Sequence, residues 1–206
     1  MARFGPRRWL NDNCVNLGRH LVQAWLADAG HTAVFLHSFV FHRASLLWDD
    51  GEVRHDIWTD AVRRAGPGAF EAHILLLPLH WNQNHWVLVV ADSRHKYVGM
   101  RDSLLMCDIS RSSRHYLVVQ RVREWLAAHG GAAFIDAGSW SLRTIHGPLQ
   151  TNGYDCGMHI LVSAHQAVDG LSIDEGGRYS VSYDGDTAHM QIARYSLHAA
   201  ILHQWG

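Results

Sequence analysis

Three short runs of strand formers stand close together in the middle of the chain, Ile74 to Leu79, Trp86 to Ala91 and Tyr97 to Arg101, and they limit the possible folds most. Each is long enough for one strand, and the polar stretch Asp92 to Lys96 between the last two suits a hairpin turn. A central sheet follows, with helical patterns on either side of it. Asn11 and Asp12 are good N-caps for a helix on which Leu17, Leu21, Ala24, Trp25 and Leu26 recur before Gly30. Asp56 to Arg64 reads as a short helix closed by Gly66-Pro67-Gly68, and Arg114 to His129 as a longer one ending at Gly130-Gly131. Cys156 to Val168 forms another, with Ile160, Leu161, Ala164 and Val168 on one side, and a last helix occupies 187–206, its pattern clearest from His189 to Trp205. Ala33 to Phe41 has mixed periodicity and stays open between strand and short helix. Residues 169–186 read as a loop or small hairpin, the alternation Tyr179-Ser180-Val181-Ser182-Tyr183 favouring the hairpin.

At 206 residues the chain suits a single domain over 1–206, and 48% hydrophobic with 18% charged residues is a globular balance. A net charge of -1 supplies no general attraction to nucleic acid or an anionic membrane. The longest apolar runs are too short to span a bilayer, and Met1-Ala2-Arg3 does not open a secretory signal. Neither nucleic acid nor membrane is therefore expected as a partner, and a monomer is expected. Three cysteines (Cys14, Cys107, Cys156) suit a reducing compartment, hence an intracellular setting, nuclear or cytoplasmic. The 17 histidines show no His-x-x-x-His or Cys-x-x-Cys spacing, so a zinc site drawn from His37, His42, His80 or His85 is set aside. No metal and no cofactor is expected.

The chemistry concentrates in Gln150-Thr151-Asn152-Gly153-Tyr154-Asp155-Cys156-Gly157, which leads from Pro148 into an apolar helical pattern. Cys156 thus begins a helix, where unpaired N–H groups and the positive end of the dipole favour a thiolate and can bind a developing oxyanion. Gln150, on the connecting loop, can bring an amide donor to that oxyanion, and Gly157 leaves room for substrate. A thiolate needs a base. His85 precedes a strand and should stand at a sheet edge, and the hairpin returns Asp102 beside it. Asp92 would lie at the other end of that strand, roughly 20 Å away at about 3.3 Å per residue.

The string WLND from Trp9, LPL followed by NHW, an aspartate 17 positions after the histidine in RDSL, and QTNGYDCG together resemble the ubiquitin-like-protein-specific cysteine proteases. These papain-like enzymes process and deconjugate SUMO and its relatives. The resemblance covers about residues 9–168, while 169–186 departs from it. It implies an α+β, papain-like cysteine protease fold, with a central mixed sheet flanked by helices and the catalytic cysteine at the N-terminus of a central helix. It implies Cys156 as nucleophile, His85 as general base and acid, Asp102 as its orienter and Gln150 as oxyanion donor. It further implies that Trp9 and Trp86 close over a Gly-Gly tail, with Asn152 and Gly157 beside the substrate. The partner implied is a ubiquitin-like modifier, SUMO, NEDD8 or a relative, and its conjugates. Two other readings compete: a module that holds such a modifier without cleaving it, and an endopeptidase or acyltransferase of the same clan. The full set His85, Asp102, Gln150 and Cys156 argues against the first, because a binder needs none of them. Trp9 favours the deconjugating enzyme over the second.

Overall fold

The computed structural model describes residues 7–40, 55–81, 84–104, 113–170, 172–173 and 179–205. Phe41 and Cys107 lie outside them. In chain order the elements are α1 (Asp12–Asp28), β1 (Ala33–Phe35), α2 (His55–Ala65), β2 (Ile74–Trp81), β3 (His85–Asp92), β4 (Tyr97–Arg101), α3 (Arg114–His129), α4 (Gly131–Phe134), β5 (Ser141–His146), α5 (Cys156–Gly170), β6 (Ser172–Ile173), β7 (Tyr179–Ser180) and α6 (Thr187–Trp205). The sheet has the order β1-β2-β3-β4-β5-β7-β6. It is mixed: β1 pairs with β2, β4 with β5 and β5 with β7 in parallel, and the remaining pairs are antiparallel.

The sheet is covered on both faces, which is why its strands read as apolar runs rather than as a clean alternation. Leu75, Leu77, Leu79, Val87, Val89 and Ala91 share one core with Val118, Val122, Trp125 and Leu126 of α3. The intervening residues Leu76, Trp86, Leu88 and Val90 share the other with Leu26 of α1 and Ile160 and Ala164 of α5. All eight residues of β3 are buried. Pro78 is accommodated in β2 because β1 pairs only with Ile74 to Leu76, so among the described residues its missing N–H costs no ladder bond.

The turn from β3 to β4 is held by Asp92, whose Oδ1 accepts the Arg94 N–H at 2.8 Å and whose Oδ2 meets His95 Nδ1 at 2.9 Å, while Lys96 takes φ +54. The Asp92 carboxylate therefore serves the turn, at the end of β3 far from His85. In α1, Asn11 caps as expected, its side chain accepting the Cys14 N–H. The undecided segment contains a strand at Ala33–Phe35, too short for its period to be read, with a turn at 38–40. The segment after α5 does form a small antiparallel pair, Ser172 opposite Ser180, and β7 goes on to extend the sheet beside β5. β5 itself has no counterpart in the sequence reading. Of its six residues only Ile145 is buried, so neither an apolar run nor an alternation marks it. No described helix is long and apolar enough to cross a membrane.

Candidate active site

Cys156 is the first residue of α5 and is 1% exposed. The loop before it is organised by Asn152, whose Oδ1 accepts the N–H groups of Tyr154 and Asp155 at 3.0 Å each and whose Nδ2 donates to Asp155 Oδ2 at 2.8 Å. Asp155 in turn accepts the His159 N–H on its carbonyl at 2.9 Å and Arg194 Nη2 on Oδ1 at 2.7 Å. Both members of that ion pair are buried, so α6 fixes the backbone that delivers the thiol. Asn152 is thus a loop-building residue, its amide oxygen and one amide N–H engaged within its own loop.

His85 opens β3, and its Nε2 lies 2.7 Å from Asp102 Oδ1. The register pairs Leu88 with Arg101, which carries Asp102 just past β4 to the position opposite Val87. Asp102 is thus a diagonal neighbour of His85 on the same face, as the hairpin argument requires in all but the directness of the pairing. Asp102 Oδ1 also accepts the Leu104 N–H at 2.8 Å, and His115 Nε2 approaches Oδ2 at 3.2 Å. Burial on its own would push the Asp102 carboxyl up; the contacts with His115, His85 and the Leu104 N–H overcome it and hold the group well below the usual carboxylate range.

The other imidazole nitrogen, His85 Nδ1, is buried without a well-formed hydrogen bond among the described residues. Cys156 is nonetheless near enough to act on the ring. Burial would lower the His85 pKa, yet Asp102 and Cys156 together raise it to about 9. An imidazolium is thereby favoured between a carboxylate on one side and the sulfur on the other.

Gln150 is 8% exposed and is tied to the end of β4. Its N–H donates to the Ser103 carbonyl at 2.7 Å, and its Oε1 accepts Ser103 Oγ at 2.7 Å, which fixes the amide so that its NH2 points away from Ser103. One of those two N–H bonds goes to the Asn152 carbonyl at 2.5 Å, leaving the other for a ligand. Arg101 adds a second stitch, donating to the carbonyls of both Asp102 and Pro148. The strand that presents the carboxylate and the loop that presents the amide and thiol are therefore one rigid unit.

Trp86 is fully buried, and its Nε1 donates to the Leu10 carbonyl at 2.7 Å. Trp9 lies over it with ring centroids 6.1 Å apart, and His80 stacks on Trp86 at 4.6 Å and meets Trp9 at 5.1 Å with the planes tilted by 35°. At Gly157 a Cβ would sit 2.9 Å from Leu10 Cβ, so its missing side chain admits Leu10. Ser103, His80, His115 and Arg194 were missed by sequence reasoning. Ser103 adjoins Asp102 in RDSL and was within reach; no local pattern points to the other three.

A helix-borne thiol, an imidazole from the sheet beside it and a carboxylate behind that imidazole, on this fold, define a papain-like cysteine protease domain. Residues 8–175 match the Ulp1 protease family, C-terminal catalytic domain, and the chain belongs to that family of thiol proteases. It is 28% identical over 165 residues to the ubiquitin-like-specific protease ESD4 of Arabidopsis thaliana, covering 76% of this chain and 32% of the relative. To ubiquitin-like-specific protease 1 of Saccharomyces cerevisiae it is 23% identical over 160 residues (78% and 23%), and to sentrin-specific protease 2 of Homo sapiens 27% over 156 residues (73% and 24%). The chain thus spans about a third or less of the length of these three relatives. Among solved structures, the C-terminal Ulp1 protease domain in complex with Smt3, the yeast ortholog of SUMO, aligns with TM-score 0.69 at 20% identity, covering 96% of this chain and 80% of that one. The Xanthomonas campestris effector XopD bound to ubiquitin aligns with TM-score 0.58 at 24% identity (93% and 94%). At these identities the structural likeness establishes the fold.

Proposed function

We propose that this chain is a cysteine peptidase and isopeptidase that cleaves after the C-terminal Gly-Gly of a ubiquitin-like modifier, SUMO foremost. The observation that carries the reading is the 2.7 Å contact of His85 with Asp102 beside Cys156 at the head of α5, in a chain of this family. His85 Nδ1 takes the thiol proton, and the sulfur attacks the carbonyl of the terminal glycine. The oxyanion is stabilised by the N–H groups at the start of α5 and by the spare Gln150 N–H. The imidazolium then returns its proton to the departing amine, whether a lysine side chain or a peptide α-amine, leaving a thioester on Cys156. Water, deprotonated by His85, attacks the thioester, and the released thiol recovers the proton.

SUMO is supported by the names of the relatives and by the Smt3 complex of the Ulp1 domain; ubiquitin is the second candidate because XopD is bound to it. The test is labelling with SUMO, NEDD8 and ubiquitin carrying a C-terminal propargylamide. Labelling of Cys156 fastest by the SUMO probe supports the reading. Failure of every modifier probe with a chain whose Cys156 still alkylates with iodoacetamide would return the general endopeptidase or acyltransferase.

A further inference from the structure

We propose that His115 is a positioning residue for this reaction, a second histidine that locks the Asp102 carboxylate so that it can hold His85 in line. The inference rests on the assignment of Asp102 as the orienting group. His85 and the Leu104 N–H both engage Oδ1 of Asp102, at 2.7 and 2.8 Å. His115 Nε2 stands 3.2 Å from the other oxygen, Oδ2, and braces that side of the carboxylate against rotation. Since Nε2 faces the carboxylate, the ring donates through Nε2–H whether it is neutral or charged.

His115 is itself held. It sits in the first turn of α3, whose N-cap Ser113 accepts the Tyr116 N–H, and its ring lies on Trp81 with centroids 5.1 Å apart and planes 8° from parallel. Trp81 ends β2 directly opposite His85 in the antiparallel register. The four residues therefore close a ring: His85 beside Trp81 across the strands, Trp81 under His115, His115 on Asp102, and Asp102 back on His85. Two anchored elements, the β2–β3 hairpin and the start of α3, fix one carboxylate between them. Asp102 side-chain exposure is 2% and that of His115 is 15%, so little water competes for Oδ2. No proton passes to His115 in the reaction.

Two substitutions separate the donor from the packing. His115→Phe keeps a ring on Trp81 and removes the hydrogen bond; His115→Gln keeps a donor near the same place and removes the ring. Steady-state kinetics are measured with the aminomethylcoumarin conjugate of whichever Gly-Gly modifier the unaltered chain turns over fastest. His115→Phe is expected to lower kcat about tenfold with KM little changed, a size typical of losing a group that orients another. His115→Gln should retain clearly more turnover than His115→Phe. The same substitution is then made in the Asp102→Ala background, where it should have almost no further effect, because the two act as one unit. Full turnover in His115→Phe, a larger loss in His115→Gln than in His115→Phe, or a full additional loss on top of Asp102→Ala would overturn the inference. If Asp102→Ala itself leaves kcat unchanged, the assignment of Asp102 fails and the inference with it; damage from Asp102→Ala beside a harmless His115→Phe refutes the inference alone. Should His115→Phe not fold, the comparison of His115→Ala with His115→Gln reads the donor in the same way.

Discussion

Arg194 lies on the last helix, outside residues 8–175, yet it holds the residue next to the nucleophile, which makes it a sharp test of how the site is built. Its Nη2 donates to Asp155 Oδ1 at 2.7 Å and reaches toward the Tyr154 carbonyl at 3.5 Å, with both side chains 1% exposed. Arg194→Met keeps the apolar bulk and leaves the Asp155 carboxylate buried without its cation. Breaking a buried pair from one side costs about 3 to 5 kcal/mol, much more than an exposed pair would. For a chain of this size each kcal/mol corresponds to about 2–4 °C, so Tm should fall by roughly 6–20 °C. Asp155 also receives the Asn152 amide, and the Asn152 carbonyl receives the Gln150 amide, so loosening Asp155 displaces Gln150, the proposed oxyanion donor, as well. Turnover of a modifier conjugate, measured well below the lowered Tm, should drop at least about tenfold, since an ångström of misplacement can cost a hundredfold. Adding Asp155→Asn removes the stranded charge and should restore part of the Tm, because an amide tolerates burial better than an unpaired carboxylate. A variant Arg194→Met within about 2 °C of the parent, compared by the same per-kcal scale, and with full turnover would refute the view that α6 holds the nucleophile loop.

Three further outcomes can be checked on the same preparations. Gly157→Ala should destabilise by about 1–3 kcal/mol in a denaturant titration, because its Cβ would press on Leu10 at 2.9 Å with the Trp86 indole bonded to the carbonyl of that residue; a neutral result would mean that the close approach is relaxed at no cost. His85, raised from its ordinary value of 6.5 to about 9, binds its proton more tightly in the folded state than in the unfolded chain, so its contribution is full below about pH 6.5 and lost as pH rises through 9. Melting curves at pH 6 and pH 10 should differ by more in the parent than in Asp102→Asn, the excess being the Asp102 share of a total on the order of 3 kcal/mol, and equal differences would remove Asp102 as a source of the shift. A modifier ending in Gly-Gly should be cleaved roughly ten- to a hundredfold faster than one ending in Gly-Ala, since a methyl must enter between the Trp9 and Trp86 rings, and Trp9→Ala should narrow that ratio; equal rates for the two fusions in the parent would mean that no such channel forms.

The sequence alone determined the parts whose signals are local. A hairpin of known turn and strand length brings His85 to Asp102, and a cysteine at the head of an apolar helical pattern lies where N–H groups are unpaired; neither needs distant information. The three central strands were visible as short runs of strand formers for the same reason. Only the tertiary structure decided what surrounds those groups. β5 lies half exposed between β4 and β7, so its place in the sheet comes from its partners and leaves no period in its own residues. Asn152 and Gly157 were read from the sequence only as lying beside the substrate, and what else they do came from the fold: Asn152 ties its own loop together, and Gly157 makes room for Leu10, 147 positions away. His115 reaches Asp102 from the next helix, and Arg194 reaches Asp155 across 39 positions. Residue type and spacing encode contacts within a turn, a hairpin or a helix, because covalent geometry limits what neighbours can do. Which arginine or histidine comes to rest on a given carboxylate depends on how whole elements pack, and that is set by the shape of the core they share.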